Sequence, residues 1–318
     1  MRIVFMGTPD FAVQSLSRLV EEGFNVVGVV TMPDKPIGRH HDVLQSSPVK
    51  KFAQKKGIPV LQPEKLKDET FLAELKALKP DLQIVVAFRM LPQVVWALPP
   101  LGTFNLHAAL LPQYRGAAPI NWAIINGDTE TGVTTFFLDE QIDTGRIILQ
   151  ERTPIEPDDC AEDVHDQLMM QGAELVIKTV RLIESGEAKA TDQSQFMTDE
   201  PLHPAPKIFK DTCQIRWQEH TLKSAYNFIR GLSPYPAAWT PVIANGKETE
   251  MKVFKATKTP SNSPLKGEEE KLPFKRDSEG IFIQLPGGYL SLDEVQLAGK
   301  KRMPIADLLR GTKLSIIK

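Results

Sequence analysis

Cysteine is almost missing from this sequence. Cys160 and Cys213 are the two present in 318 residues. They lie far apart and have no Cys or His neighbours at metal-ligand spacing. This excludes a disulfide framework and a zinc finger, and fits reduced thiols in a cytoplasmic protein. No stretch approaches the roughly 18 apolar residues of a membrane span, and the opening Met1 to Phe5 run is too short for a secretory signal. Charge of one sign is also lacking overall: 38 Lys and Arg face 40 Asp and Glu, a net of -2.

That balance hides an asymmetry. Residues 207–318 carry 19 basic against 12 acidic side chains, a net of +7, while residues 1–206 carry 19 against 28, a net of -9. A basic module joined to an acidic one points to an anionic partner for the C-terminal part. With 42% hydrophobic and 25% charged residues, the chain has an ordinary globular composition, and its length exceeds one hydrophobic core, so two domains are expected.

The first part alternates strand and helix patterns. An apolar run, Arg2 to Met6, ends at Gly7 and is followed by Thr8-Pro9-Asp10 and a helical stripe of Phe11, Leu16 and Leu19 that Gly23 stops. Strand Val26 to Thr31 completes a βαβ unit, which implies a parallel sheet with right-handed crossovers. The alternation continues through a helix at Pro48 to Lys56, strand Pro59 to Leu61, helix Thr70 to Leu78 and strand Leu82 to Ala87. Strand Thr103 to His107, helix Ala118 to Asn126, strands Val133 to Leu138 and Ile147 to Gln150, and a long helix Ala161 to Glu184 follow. Residues 1–190 thus form a doubly wound α/β domain.

The periodicity then fades. Pro201, Pro204 and Pro206 crowd into a stretch that reads as a linker, 191–208. Residues 209–318 hold one helix, Leu222 to Arg230, and short β runs at 241–243, 251–256, 281–285, 289–292 and 294–297, the pattern of a small barrel or sandwich. The opening strand-turn-helix lacks G-x-G-x-x-G, and Asp10 at the turn would repel a pyrophosphate, which excludes NAD(P).

Asn105 and His107 stand two apart at the end of a strand, so their side chains share a face. Asp143 lies in a loop after another strand of the same sheet, and the carboxyl ends of such strands are where open α/β sheets bind ligands. An amide that donates to an oxyanion, an imidazole that moves protons and a carboxylate that orients the imidazole make an acyl-transfer site. An Asn-x-His on a strand or an Asp before Thr-Gly is more often structural, and nothing in the trio identifies a substrate. No ligand cluster for a metal is visible.

Longer motifs go further. The run Asn105-Leu106-His107-Ala108-Ala109-Leu110-Leu111-Pro112-Gln113-Tyr114-Arg115-Gly116-Ala117-Ala118-Pro119 resembles the signature of folate-dependent formyltransferases. Gly7-Thr8-Pro9-Asp10-Phe11-Ala12 and Asp139-x-x-Ile142-Asp143-Thr144-Gly145 match their other blocks. Gly231-Leu232-Ser233-Pro234-Tyr235-Pro236-Ala237-Ala238-Trp239 is similar to the start of the C-terminal domain in the methionyl-tRNA formyltransferase branch.

This resemblance implies a Rossmann-like catalytic domain followed by an OB-like β-barrel that meets tRNA. It implies catalysis by Asn105, His107 and Asp143, with 10-formyltetrahydrofolate as formyl donor and no metal. The folate would be bound by Phe88, Arg89, Met90 and Leu91 and by Ala109, Leu110, Leu111 and Pro112. Initiator methionyl-tRNA would be the acceptor, met by Arg39 and by His40 and His41, which stand where relatives carry lysines; no obligate protein partner is evident. Ala109 replaces the family's usual serine, and Arg89 falls where the family has glycine. Three alternatives remain open on the sequence: formylation of a UDP-amino sugar, hydrolysis of formyl-folate, and a non-enzymatic RNA-binding module.

Overall fold

The computed structural model describes residues 1–37, 43–260, 274–276 and 280–317. Arg39, His40 and His41 lie outside the described residues. The chain divides into two compact units: Met1–Gly116, Thr131–Pro154 and His165–Ala205 form one, and Ala117–Glu130, Ile155–Val164 and Pro206–Lys318 form the other.

In the first unit the strands are β1 (Arg2–Gly7), β2 (Asn25–Val30), a small hairpin β3 (Lys35–Ile37) and β4 (Val43–Gln45), β5 (Val60–Leu61), β6 (Leu82–Val86), β7 (Thr103–His107), β8 (Glu130–Phe137) and β9 (Ile147–Pro154). All but the hairpin join one sheet in the order β5-β2-β1-β6-β7-β8-β9. Ile3 to Met6 in β1 and Leu82 to Val86 in β6 are buried throughout, which is why these strands read as unbroken apolar runs. The order runs outward in both directions from β1 and β6, so the topological switch point lies between them.

The helices are α1 (Asp10–Glu21), α2 (Pro48–Lys55), α3 (Glu69–Ala77), the short α4 (Gln93–Trp96), α5 (Pro119–Asn126) and α6 (Ala161–Ser185). Their starts follow local chemistry. Ser47 accepts from the Lys50 amide at 3.0 Å and Asp68 from that of Phe71 at 3.1 Å, each meeting an orphan donor of the first turn. Gly7 is required by close approach, since a Cβ there would lie 2.7 Å from that of Ala12 and 2.9 Å from the carbonyl of Val86.

The sheet departs from the expected parallel arrangement at β8. β1 to β2, β1 to β6, β2 to β5 and β6 to β7 pair in parallel, but β7 and β8 are antiparallel. A parallel return needs a crossover helix laid on the sheet. The helix between β7 and β8 is α5, which belongs to the other compact unit, so the chain comes back in the opposite sense.

The second unit is built on α7 (Leu222–Gly231), strands β10 (Ala238–Ala244), β11 (Lys247–Pro260), β12 (Phe274–Arg276), β13 (Ile281–Leu285), β14 (Gly288–Leu297), β15 (Met303–Pro304) and β16 (Leu314–Ile316), and helix α8 (Ile305–Gly311). The sheet is antiparallel, in the order β12-β13-β14-β11-β10-β16 with β15 on β14. Register shifts between Val253 and Ala256 bend the long strand β11, which gives the curled half-barrel of an OB-like domain. Met251, Val253, Leu290, Leu292 and Val295 fill its core with Ala225 and Ile229 of α7. Helix α5 packs on α7: Asn121 Nδ2 donates to the Gly231 carbonyl at 2.7 Å, and a Cβ on Gly231 would lie 2.8 Å from Ile125.

The stretch 191–208, expected as a linker, is divided: residues through Ala205 pack in the first unit and Pro206 onward in the second. Its prolines favour extended backbone, and that backbone pairs with neighbours. Thr191 exchanges two 2.8 Å hydrogen bonds with Ile147, and the amides of Tyr114 and Ala205 donate to the carbonyls of His203 and Arg115 at 2.7 and 2.8 Å. Among the described residues no helix is long and apolar enough to cross a membrane.

Candidate active site

Asn105 and His107 sit on one face of β7, opposite Phe136 and Thr134 of β8. His107 is 6% exposed. Its Nε2 lies 2.8 Å from the Tyr114 carbonyl; a carbonyl only accepts, so Nε2 carries the hydrogen and donates. In the neutral ring Nδ1 is then the bare nitrogen, and it faces Asp143 Oδ2 at 3.9 Å. That distance is too long for a hydrogen bond. The imidazole is therefore oriented by Tyr114, a role that sequence reasoning gave to Asp143.

Asp143 is itself held. Its Oδ2 accepts from the Gly116 amide at 2.9 Å. The loop that carries it is shaped by Asp139 Oδ1, which accepts from the Gln141 amide at 3.0 Å and from the Thr144 hydroxyl at 2.8 Å. Gly145 closes the loop against β8. Asn105, half-buried, differs from both: its carboxamide makes no hydrogen bond to a described residue, which leaves an N–H donor free beside the imidazole.

Backbone strain collects here. Among the described residues the non-glycine positive φ angles include Ala87 (48°) after β6, Tyr114 (58°) after β7 and Asp143 (55°) after β8. Each lies in a loop at the carboxyl end of its strand or in the following return, and such strain concentrates at functional sites.

The expected folate segments divide between core and surface. Leu91 is 6% exposed and packs with Val85 and Val95, with Phe88 against the same cluster, while Met90 is exposed. Arg89 donates from Nη1 to the Glu64 carbonyl at 2.8 Å and from Nη2 to the Pro63 carbonyl, so it braces the preceding loop. Its Nε is buried without a partner among the described residues, and burial lowers its pKa. Ala109, Leu111 and Pro112 turn their side chains into the protein, and Leu110 is half-buried. Thr134 Oγ1 donates to the Ala109 carbonyl at 2.6 Å and accepts from the Leu111 amide at 3.2 Å, and Gln150 Nε2 donates to the Leu111 carbonyl at 2.7 Å. This loop is rigid. Thr134, Gln150 and Gln193, which help to build the site's frame, carry no signal in the sequence, because they act on main-chain atoms. Among the described residues no group of three or more His, Cys, Asp or Glu could hold a metal ion.

Comparison with known proteins follows the two units. A family model described as formyl transferase matches residues 1–180, and one described as formyl transferase, C-terminal domain, matches 207–313. A protein of Parabacteroides distasonis named methionyl-tRNA formyltransferase is 60% identical over 98% of this chain and 96% of its own length. The chain belongs to the methionyl-tRNA formyltransferase family. A second member, from Bacteroides thetaiotaomicron, is 54% identical over 99% of this chain and 97% of its own. The same fold occurs in an N-formyltransferase of Helicobacter canadensis solved with folinic acid and dTDP-3-aminofucose, with a TM-score of 0.63, 22% identity, and 94% of this chain and 99% of that one covered.

Proposed function

We propose that this chain transfers the formyl group of 10-formyltetrahydrofolate to the α-amino group of initiator methionyl-tRNA, in the cytoplasm where charged tRNA is used. The observation that carries this reading is the 60% identity to a methionyl-tRNA formyltransferase along nearly the whole of both chains. The amine attacks the formyl carbon and a tetrahedral oxyanion forms. The bond from that carbon to N10 then breaks, and N10 leaves with a proton. Asn105 donates to the oxyanion, a contact worth roughly 3 to 4 kcal/mol in comparable sites. His107 Nδ1 takes the amine's proton after attack and returns it to N10, and Asp143, 3.9 Å away, stabilises the imidazolium between the two steps. Residues 88–91 and 109–112 border the folate. The deciding assay measures label from 10-formyltetrahydrofolate entering charged initiator tRNA, a nucleotide-linked amino sugar, or free formate. Incorporation into the sugar, or release of formate alone, would overturn the reading.

The +7 balance of residues 207–318 supports contact with the tRNA backbone. Two phosphate contacts alone predict a loss of about tenfold in affinity between roughly 50 and 200 mM salt. Filter binding over that range measures it, and a flat response would remove the basic surface from the interface.

Arg39, His40 and His41 are proposed to meet the same RNA. A free histidine titrates near about 6.5, and neighbouring phosphates raise that value in the complex. The protonated form is then favoured when bound, so binding tightens as pH falls through the interval from the bound pKa to the free one. A His40→Gln/His41→Gln double variant, compared with wild type at pH 6 and pH 8 at fixed salt, should lose this dependence. An unchanged dependence would leave the pair without a role.

A further inference from the structure

Gln193 lies in the stretch that the sequence marks as a linker, far along the chain from Asn105, His107 and Asp143. It is 4% exposed and uses both ends of its carboxamide. Nε2 donates to the carbonyls of Asp143 and Gly145, each at 2.8 Å. Oε1 accepts from Arg115 Nε at 3.1 Å and Nη2 at 2.6 Å. One buried amide thus joins the loop after β8 to the loop after β7. A primary amide is suited to this: two carbonyls need two N–H groups, and a guanidinium needs an acceptor.

The stretch around Gln193 is fastened along its length. Thr191 is bridged to Ile147, which lies two residues beyond Gly145. Asp192 caps the turn that presents Gln193, its Oδ1 accepting from the Ser194 amide at 2.8 Å. Further on, Gln113 Nε2 donates to the Pro201 carbonyl at 3.1 Å, Gln113 Oε1 accepts from the His203 amide at 2.8 Å, and Gly116 bridges to Ala205. Gly116 also donates to the Asp143 carboxylate, so both loops that carry the acid and orient the imidazole are tied to one strap.

We propose that Gln193 is a positioning residue for formyl transfer, and that residues 191–205 form a strap which sets the distance between Asp143 and His107. The proposal rests on the reading of the site as a formyl-transfer centre. Without the two N–H donors, Asp143, already at a φ of 55°, is free to relax, and the carboxylate drifts from Nδ1. Substrate contacts are untouched, so the loss falls on turnover rather than on affinity.

Two variants separate this role from plain packing. Gln193→Met keeps the volume and removes donors and acceptor; Gln193→Glu keeps an acceptor for Arg115 and replaces the donors with a carboxylate oxygen that the two carbonyls repel. Both should lower kcat by about tenfold or more, with KM for the formyl donor changed less than threefold and binding of 5-formyltetrahydrofolate, followed by fluorescence quenching, retained as a check that the folate site is formed. Wild-type kcat in Gln193→Glu would overturn the proposal, because the donors would then be idle. Loss of 5-formyltetrahydrofolate binding in both variants would overturn it too, since Gln193 would be a general packing residue. Wild-type protein is assayed first on charged tRNA: inactivity there sinks the proposed reaction, whereas activity with unaffected variants sinks only the role of Gln193.

Discussion

Alanine in place of Asn105 or His107 lowers turnover on charged tRNA by about a hundredfold or more, as expected for loss of an oxyanion donor or of the group that moves the proton. The two variants differ in their side effects. The Asn105 carboxamide has no partner among the described residues, so Asn105→Ala should leave stability within about 0.5 kcal/mol of wild type. His107→Ala strips the Tyr114 carbonyl of its 2.8 Å donor in a buried place, which costs about 1 to 3 kcal/mol. Steady-state kinetics with denaturant titrations measure both quantities. Retention of a tenth of wild-type turnover by either variant would end the assignment. A stability loss for Asn105→Ala as large as that for His107→Ala would show that the free amide has a structural partner after all.

The second large effect is steric. At Gly145 an added Cβ would lie 1.6 Å from the carbonyl oxygen of Phe137. That atom belongs to backbone, so no rotamer change relieves the contact and the loop must move away from β8. Gly145→Ala should cost about 2 to 4 kcal/mol and lower the melting temperature by roughly 5 to 10 °C, with activity reduced because the same loop carries Asp143. Gly23→Ala is the control. Gly23 has a φ of 78° and open space around an added Cβ, so only the conformational penalty remains, about 1 to 2 kcal/mol. Equal losses in the two variants would mean that close approach to Phe137 is not what Gly145 provides.

The parts of this molecule that sequence reveals are those written in side-chain periodicity. Strand β7 lies at Thr103–His107 as the alternation around Asn105 and His107 indicates, and burial on both faces makes β1 and β6 visible as apolar runs. The parts that stay hidden depend on what main-chain atoms do. The β14 pattern breaks at Asp293, which splits one strand into two apparent ones; in the fold Thr257 Oγ1 donates to Asp293 at 2.7 Å and the strand continues from Gly288 to Leu297. The antiparallel turn of β8 depends on where α5 packs, which no local pattern encodes. At the proposed site, Asn105, His107 and Asp143 can be picked out as candidates because chemistry restricts the residue type. Tyr114 and Gln193 are not, since the first contributes a carbonyl that any residue has and the second is one polar residue in a polar run without periodicity.

The packing of α5 with the second unit bears on how such a protein can be cut and recombined. Residues 117–130 leave the catalytic sheet after β7 and return to it at β8, and in between they belong to the C-terminal body. A gene fragment ended near residue 208 would still encode α5 but not α7, so Ile125 and its helix would lose their apolar cover and Asn121 its acceptor on Gly231. Such a fragment should be prone to aggregate through that bare helix. Grafting the C-terminal part onto a related sheet would likewise require the α5 segment to travel with it. Exchange of the second unit between relatives therefore needs more than one crossover, because its segments 117–130 and 155–164 are separate in the chain from residues 206–318, and the first of these joins follows β7.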